Sequence, residues 1–323
     1  MKDLSNKNVL VTGGAGFVGS NMCEMLMNEG ANVTVFDNMS SGKEEFMKRF
    51  SGKKEFSVVR GDLLDKKSLS GAISGKRFDA VVHLAANPDV SLGTKQTDLD
   101  LRMGTIATYN VLDEARLHDI PDFLFSSSSV VYGVPTVRPT PEDYGPELPI
   151  SLYGASKLAS EGLITSFSHL YGINYYVYRF ANVIGNNLTH GVVLDFLRKL
   201  EKTPNELEVL GNGKQRKSYI DVQDCVNAML YIYKNSESKE NLYNLATDGQ
   251  TSVEYIANMI IERFAPSAKI RYTGGEQGWP GDIANTYLSN KKLMSTGFRL
   301  KHQKSDEAVD AYINSITGKK KVS

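Results

Sequence analysis

The stretch VTGGAGFVGS, residues 11–20, constrains this chain more than any other part of its 323 residues. A short apolar, β-rich run, NVLV, leads into it, and a segment of helical character leaves it. Gly14, Gly16 and Gly19 satisfy the pattern G-x-G-x-x-G, with Gly13 added in front. The first glycines permit a tight turn, the next lets a pyrophosphate approach the backbone, and Gly19 lets helix pack on strand. Phosphates held there meet the exposed N–H groups and the positive end of the helix. The second β-rich run ends in Asp37, within the expected interval of roughly 20 residues. A carboxylate at that point accepts hydrogen bonds from a ribose diol and repels a 2′-phosphate, which favours NAD over NADP.

The rest of the first half repeats the alternation. Strand candidates are NVLVTG, ANVTVFDN, FSVVRGD, FDAVVHLAA and DFLFSSSS, and helices are expected to begin near Gly16, Asp65, Asp98 and Ser156. Apolar runs without strict alternation suit parallel strands buried on both faces. The fold class read from this is α/β, a Rossmann-type doubly wound parallel sheet with a smaller, interleaved α/β C-terminal substrate domain. Residues 1–180 are assigned to the nucleotide-binding domain, with a return segment near 222–246, and 181–323 to the second domain. The stretch from Asn186 to Asp221 reads as loop-rich, a helix is expected from Val222, and YNLAT reads as a strand returning to the first domain.

Composition narrows the partners. Lys plus Arg and Asp plus Glu both number 37, so no global field draws the chain to nucleic acid or an anionic membrane. The first residues enter glycines too soon for a signal peptide or a membrane span, and the two cysteines, Cys23 and Cys225, make no disulfide framework. Cytoplasm is the expected location. The short basic tail GKKKVS reads as a frayed end.

Two Tyr-x-x-x-Lys pairs occur, Tyr153 with Lys157 and Tyr287 with Lys291. Helical spacing puts each pair on one face. Only the first follows a strand end rich in hydroxyls, FSSSSVVYG, where ligands of doubly wound sheets bind. Asp62, at the end of the third strand, is placed to accept from an adenine amino group or to cap a helix.

At these residues the chain resembles the extended short-chain dehydrogenase/reductases, and within them the UDP-sugar 4-epimerases. The resemblance runs almost end to end, through TGGAGFVGS, FDNMSSGK, GDLLD, HLAA, FSSSSVVYG, YGASK, RFANVIG, LGNGKQRKSYIDVQD and GWPGD. It implies a cofactor, NAD, held by Gly13, Gly16, Phe17, Val18, Gly19, Asp37, Asn38, Ser40, Gly42, Asp62, Leu63, Leu84, Ala85 and Ala86, together with Tyr153 and Lys157. It implies that Tyr153 is the acid/base, Lys157 its partner and Ser128 the hydroxyl beside the reacting sugar oxygen. A free tyrosine, with a pKa of about 10, is a poor base at neutral pH. Lys157 and a positive nicotinamide are expected to favour the phenolate.

Dehydratase and decarboxylase relatives carry an acid in the strand-end motif; here Ser129, Val130 and Val131 stand there. The expected reaction is therefore transient oxidation at C4 of a UDP-hexose and return of hydride to the opposite face, with NAD regenerated. The resemblance places Asn182 near the diphosphate, Leu210 on uracil and Asp282 in the sugar site. Where relatives carry a diphosphate arginine this chain has Lys217, with Arg216 beside it, and either cation can serve. Trp279 replaces a second arginine, Met103 an asparagine and Pro88 a lysine. Thr286 aligns with a bulky tyrosine of relatives restricted to unacetylated hexoses, which opens the site to N-acetylhexosamines. The helices spanning about Asp98 to His118 and Tyr153 to Tyr171 carry surplus apolar residues, and a homodimer is expected. Rivals are a 4-ketoreductase or epimerase acting on another nucleotide sugar and, from another class, a non-catalytic NAD-binding scaffold or sensor.

Overall fold

A computed structural model describes residues 1–279 and 281–317; the tail GKKKVS lies outside the described residues. The first half alternates β1 (Asn8–Thr12), α1 (Phe17–Asn28), β2 (Asn32–Asp37), the short α2 (Glu44–Met47), β3 (Phe56–Arg60), α3 (Lys66–Ile73), β4 (Ala80–His83), α4 (Ala107–Leu117), β5 (Asp122–Ser128), α5 (Leu152–Tyr171) and β6 (Asn174–Phe180). A π-helical stretch, Leu101–Ile106, runs directly into α4. The second half holds β7 (Asn182–Ile184), α6 (Val192–Lys202), β8 (Glu206–Val209), β9 (Arg216–Lys217), β10 (Tyr219–Asp221), α7 (Val222–Asn235) and β11 (Glu240–Leu245). It closes with β12 (Thr251–Ser252), α8 (Val253–Phe264), β13 (Lys269–Tyr272), β14 (Asn285–Thr286), α9 (Lys291–Ser295) and α10 (Ser305–Thr317).

Seven strands form one parallel sheet in the order β11-β6-β5-β4-β1-β2-β3. The chain leaves β1 toward β2 on one side and reaches β4 on the other, so a crevice opens at the carboxyl ends between them. The strands are apolar throughout because both faces are covered. Val9 and Val11 turn toward Met22, Cys23, Val226 and Met229, from α1 and α7. Leu10, Val81 and Phe125 turn to the other face, toward Leu69, Val111 and Ile164 from α3, α4 and α5. At about 25 cal/mol per Å² of apolar surface removed from water, these two layers dominate the stability of the sheet.

Two expectations shift. α5 begins at Leu152, four residues before the expected start near Ser156, because Ser151 accepts from Gly154 N–H and caps the helix. Tyr153 is thus in the first helical turn. Removing such a cap costs about 1 kcal/mol and frays the turn that holds Tyr153.

The segment read as loop-rich contains α6 and three short strands. Val193, Phe196, Leu197 and Leu200 bury one face of α6 against Ile256, Ile260, Val309 and Ile313. That is the i, i+3, i+4, i+7 stripe of an amphipathic helix, masked at its start by glycine and histidine. The return segment lies where the alternation suggests: α7 covers the sheet and β11 pairs with β6. None of the described helices is long and apolar enough to cross a membrane.

Candidate active site

A cavity of about 680 Å³ opens at the carboxyl ends of the central strands and is lined from both halves of the chain. Every residue expected to hold the cofactor lines it except Gly42, which packs behind the wall against Ala15 and the Asp37 carboxylate. The glycine turn fits a ligand that must approach the backbone. Gly13 has φ +70, and a Cβ there would lie 2.6 Å from Ala85 N. A Cβ on Gly19 would lie 2.1 Å from the Gly13 carbonyl oxygen, so helix and turn touch only because it is absent. Asp37, at the end of β2, accepts from Ala15 N–H at 3.0 Å and Met39 N–H at 2.8 Å. These bonds fix a carboxylate beside the glycine turn and leave it lone pairs for a ribose diol. Asp62 accepts from Leu64 N–H at 2.9 Å, and it is Asp65 that caps α3. The donor set, a glycine turn at a helix N-terminus with a carboxylate at the next strand end, fits NAD.

Ser128, Tyr153 and Lys157 line the same cavity. Ser128 ends β5, and its Oγ accepts from Val130 N–H at 3.4 Å. Lys157 is buried; its Nζ donates to the Ser126 carbonyl at 2.6 Å and lies 5.7 Å from the centre of the Tyr153 ring. The strand end is anchored from behind. Ser127 donates to Glu161, which also accepts from Arg179 at 3.0 and 2.6 Å.

Burial pulls Lys157 down to about 7, opposed by the negative charges of Glu161 and Asp100. For Tyr153, burial pushes the phenol up, and the charge of Asp100 adds to it. This is opposite to the expected depression, because a dry wall and the nearby carboxylate both disfavour the phenolate. The second pair is elsewhere. Tyr287 donates to Asp248 at 2.5 Å in an exposed setting outside the cavity.

On the opposite wall, Asn182, Leu210, Lys217, Asp282 and Thr286 line the cavity as expected. Arg216 does not. Alternation along β9 turns Lys217 inward and Arg216 outward, where its Nη2 donates to the Gln250 carbonyl at 3.2 Å. Lys217 Nζ lies 2.5 Å from Asp282 Oδ1 and 5.0 Å from the centre of the Trp279 ring. Asp282 Oδ2 accepts from Gly278 N–H at 3.1 Å. Thr286 is buried on β14, opposite Lys217 in the strand register. His190 and Arg198, both lining the cavity from α6 or its approach, were not anticipated. The apolar stripe of α6 was the signal that could have placed them.

The comparisons with known proteins agree with this geometry. The NAD dependent epimerase/dehydratase family matches residues 9–246. A UDP-glucose 4-epimerase of Corynebacterium glutamicum is 30% identical over 270 residues, covering 79% of this chain and 79% of that one. The crystal structure of a UDP-glucose 4-epimerase with UDP-glucose from Thermotoga maritima superimposes with a TM-score of 0.86 at 28% identity, over 97% of this chain and 99% of its own. The UDP-N-acetylglucosamine 4-epimerase from Methanobrevibacter ruminantium, in complex with UDP-N-acetylmuramic acid, gives 0.84 at 26% identity, over 98% and 100%. With its glycine turn, its Tyr153–Lys157 pair and a family match across three-quarters of its length, this chain belongs to the NAD-dependent epimerase/dehydratase family.

Proposed function

We propose that this chain is an isomerase, an NAD-dependent UDP-sugar 4-epimerase. The observation that carries the reading is that one cavity holds the glycine turn, the Ser128–Tyr153–Lys157 set and a nucleotide-sugar wall. NAD, held by the glycine turn and Asp37, supplies a reversible hydride acceptor at the sugar C4. The protein's own residues handle the proton. Ser128 holds the sugar 4-oxygen, and Tyr153 takes its proton and later returns it. Lys157 supplies the positive charge that stabilises the phenolate while it exists. Ser129, Val130 and Val131 place no carboxylate beside Ser128, so nothing in that motif removes a neighbouring proton or group from the oxidised sugar. Lys217 is the inward cation for the diphosphate, with Asn182 beside it and Leu210 against the uracil.

Purified protein incubated without reductant tests this. UDP-galactose, or UDP-N-acetylgalactosamine, is expected to yield its gluco epimer with only catalytic NAD. Stoichiometric consumption of NADH or NADPH would make the protein a 4-ketoreductase. No product from either sugar, with NAD bound, would withdraw the substrate assignment.

Thr286 supports the N-acetylhexosamine pair as substrates, because a small buried side chain at the wall leaves room for a 2-acetamido group. Thr286→Tyr is expected to lower turnover of the acetylated pair at least tenfold relative to the unacetylated pair, equivalent to about 1.4 kcal/mol. An unchanged ratio would remove Thr286 from the specificity argument.

The remaining proposals concern organisation. Residues 1–180 with 222–246 form the nucleotide domain and 181–323 the sugar domain, in a cytoplasmic enzyme. A homodimer buries the helices around Leu101–Leu117 and α5. Leu101, Leu117, Leu170 and Tyr171 are each more than half exposed there, at 53, 55, 66 and 52%. A monomer mass by sedimentation at micromolar concentration would contradict it.

A further inference from the structure

Asp100 takes no step in the reaction proposed above, yet it is a carboxylate buried beside the catalytic helix. Its side chain is 1% exposed and stands just ahead of the π-helical stretch, a geometry that recurs at functional sites. Oδ1 accepts from Asn87 Nδ2 at 3.0 Å, and Oδ2 has no hydrogen-bond partner among the described residues. Asn87 lines the cavity, and its amide also holds the following loop, donating to the Asp89 carbonyl at 2.8 Å and accepting from Asp89 N–H at 3.0 Å.

Two glycines bring this carboxylate and the π-helix against the catalytic helix. A Cβ on Gly93 would lie 2.2 Å from Asp100 Oδ2 and 3.8 Å from Leu152 Cβ. A Cβ on Gly104 would lie 2.5 Å from Ser156 Oγ. Leu152 and Ser156 immediately precede Tyr153 and Lys157 on α5. A buried carboxylate with an unsatisfied oxygen is costly unless a nearby positive charge opposes it. Burial raises the Asp100 carboxyl above the usual range, and the Asn87 amide and the Lys157 ammonium oppose that rise.

We propose that Asp100 is a positioning residue of the reaction centre, a buried counter-charge that acts through Tyr153 and Lys157 and sets the pH at which the phenol exchanges its proton. The other ionisable groups around the centre are committed or distant from this role. Glu161, on α5, is bound to Ser127 and Arg179. Asp282, on the sugar wall, is paired with Lys217. His83, at the end of β4, lies between Thr12 and Thr108, and burial pulls it down to about 3, so it stays neutral. Asp89 lines the cavity in the loop held by Asn87. The negative charge of Asp100 favours the protonated forms of both Tyr153 and Lys157. This makes Tyr153 a better acid for returning the proton and a weaker base for taking it.

The inference rests on the epimerase reading only in naming Tyr153 as the proton carrier. Asp100→Asn keeps the size of the side chain and an oxygen for Asn87 but removes the charge. Its phenolate titration, followed by ultraviolet absorbance against the same variant carrying Tyr153→Phe, needs no substrate. Loss of a negative charge is expected to move that titration, and the acidic limb of the kcat profile, to lower pH by about one unit. An unshifted titration, with or without lower stability, would overturn the proposal. Should the Asn variant not fold, Asp100→Ser repeats the measurement, and failure of both to fold would overturn it in favour of a purely structural carboxylate. A shifted titration in a protein that epimerises no UDP-sugar would leave Asp100 in its role and remove the proposed reaction instead.

Discussion

The two ends of the cavity are built on different principles. At the nucleotide end the turn after β1 is shaped by absent side chains and backbone amides, within a single β-turn-α unit closed by Asp37. At the sugar end the groups are side chains brought together from distant segments: Lys217 on β9 and Asp282, 65 residues later, joined by pairing of β9 with β14 and β12. A local motif depends on its own few residues. An assembled wall depends on every segment that supplies it and on the strand pairing that joins them.

Four measurements break or sharpen that contrast. The largest effect is expected from Tyr153→Phe, which removes the proposed proton carrier. Its kcat should fall by roughly 10²–10⁴-fold while NAD stays bound; near-normal turnover would put proton transfer on another group. Next comes Gly19→Ala. The added methyl meets the Gly13 carbonyl at 2.1 Å, a backbone atom that cannot swing aside. Overpacking of this kind costs about 1–3 kcal/mol, so both the unfolding temperature and NAD retention should drop. Retained NAD would show that the turn has slack.

The third measurement uses pH. Lys157 has its folded value near 7 against an ordinary 10.5. Between those two values the unfolded chain holds a proton that the folded chain has released, so this group makes stability rise with pH across that window. Below about 7 both states are protonated and the burial cost is fully present. The slope is bounded by one proton, about 1.4 kcal/mol per pH unit. Wild type minus Lys157→Met, measured by denaturant unfolding, should show that rise; a flat difference would mean that the ammonium stays charged in the fold. The smallest effects are expected at the sugar end, in a matched pair. Lys217→Gln should raise KM about tenfold, and Arg216→Gln by less than about twofold, since strand alternation turns it away. Equal effects would mean that β9 presents both faces to the substrate.

The nucleotide end was legible in the sequence because its determinants lie within a few residues of one another. A tight turn, a helix start and a strand-end carboxylate each need particular residues at fixed offsets, and no distant contact changes that. The Tyr153–Lys157 pair was legible for a related reason: helical spacing and a preceding strand end suffice to tell it from Tyr287–Lys291. α6 was missed because its apolar stripe is short and lies between a glycine and TPNEL, so it read as loop until Ile256, Val309 and their neighbours gave it something to pack on. Arg216 and Lys217 stayed interchangeable because two adjacent residues in a two-residue strand carry no period of their own; their pairing with β12 and β14 decides which one faces inward.

By itself, then, the sequence determined the alternating α/β order, the dinucleotide turn, its preference for NAD and the placing of the Tyr153–Lys157 pair at the cavity, all of which follow from backbone conformation and side-chain chemistry over short spans. Only the tertiary structure decided the direction of the Tyr153 shift, the inward choice of Lys217 and the seclusion of Asp100 beside the catalytic helix. Those depend on how dry a site is and which charges share it, and burial of that kind is created by segments far apart in the chain.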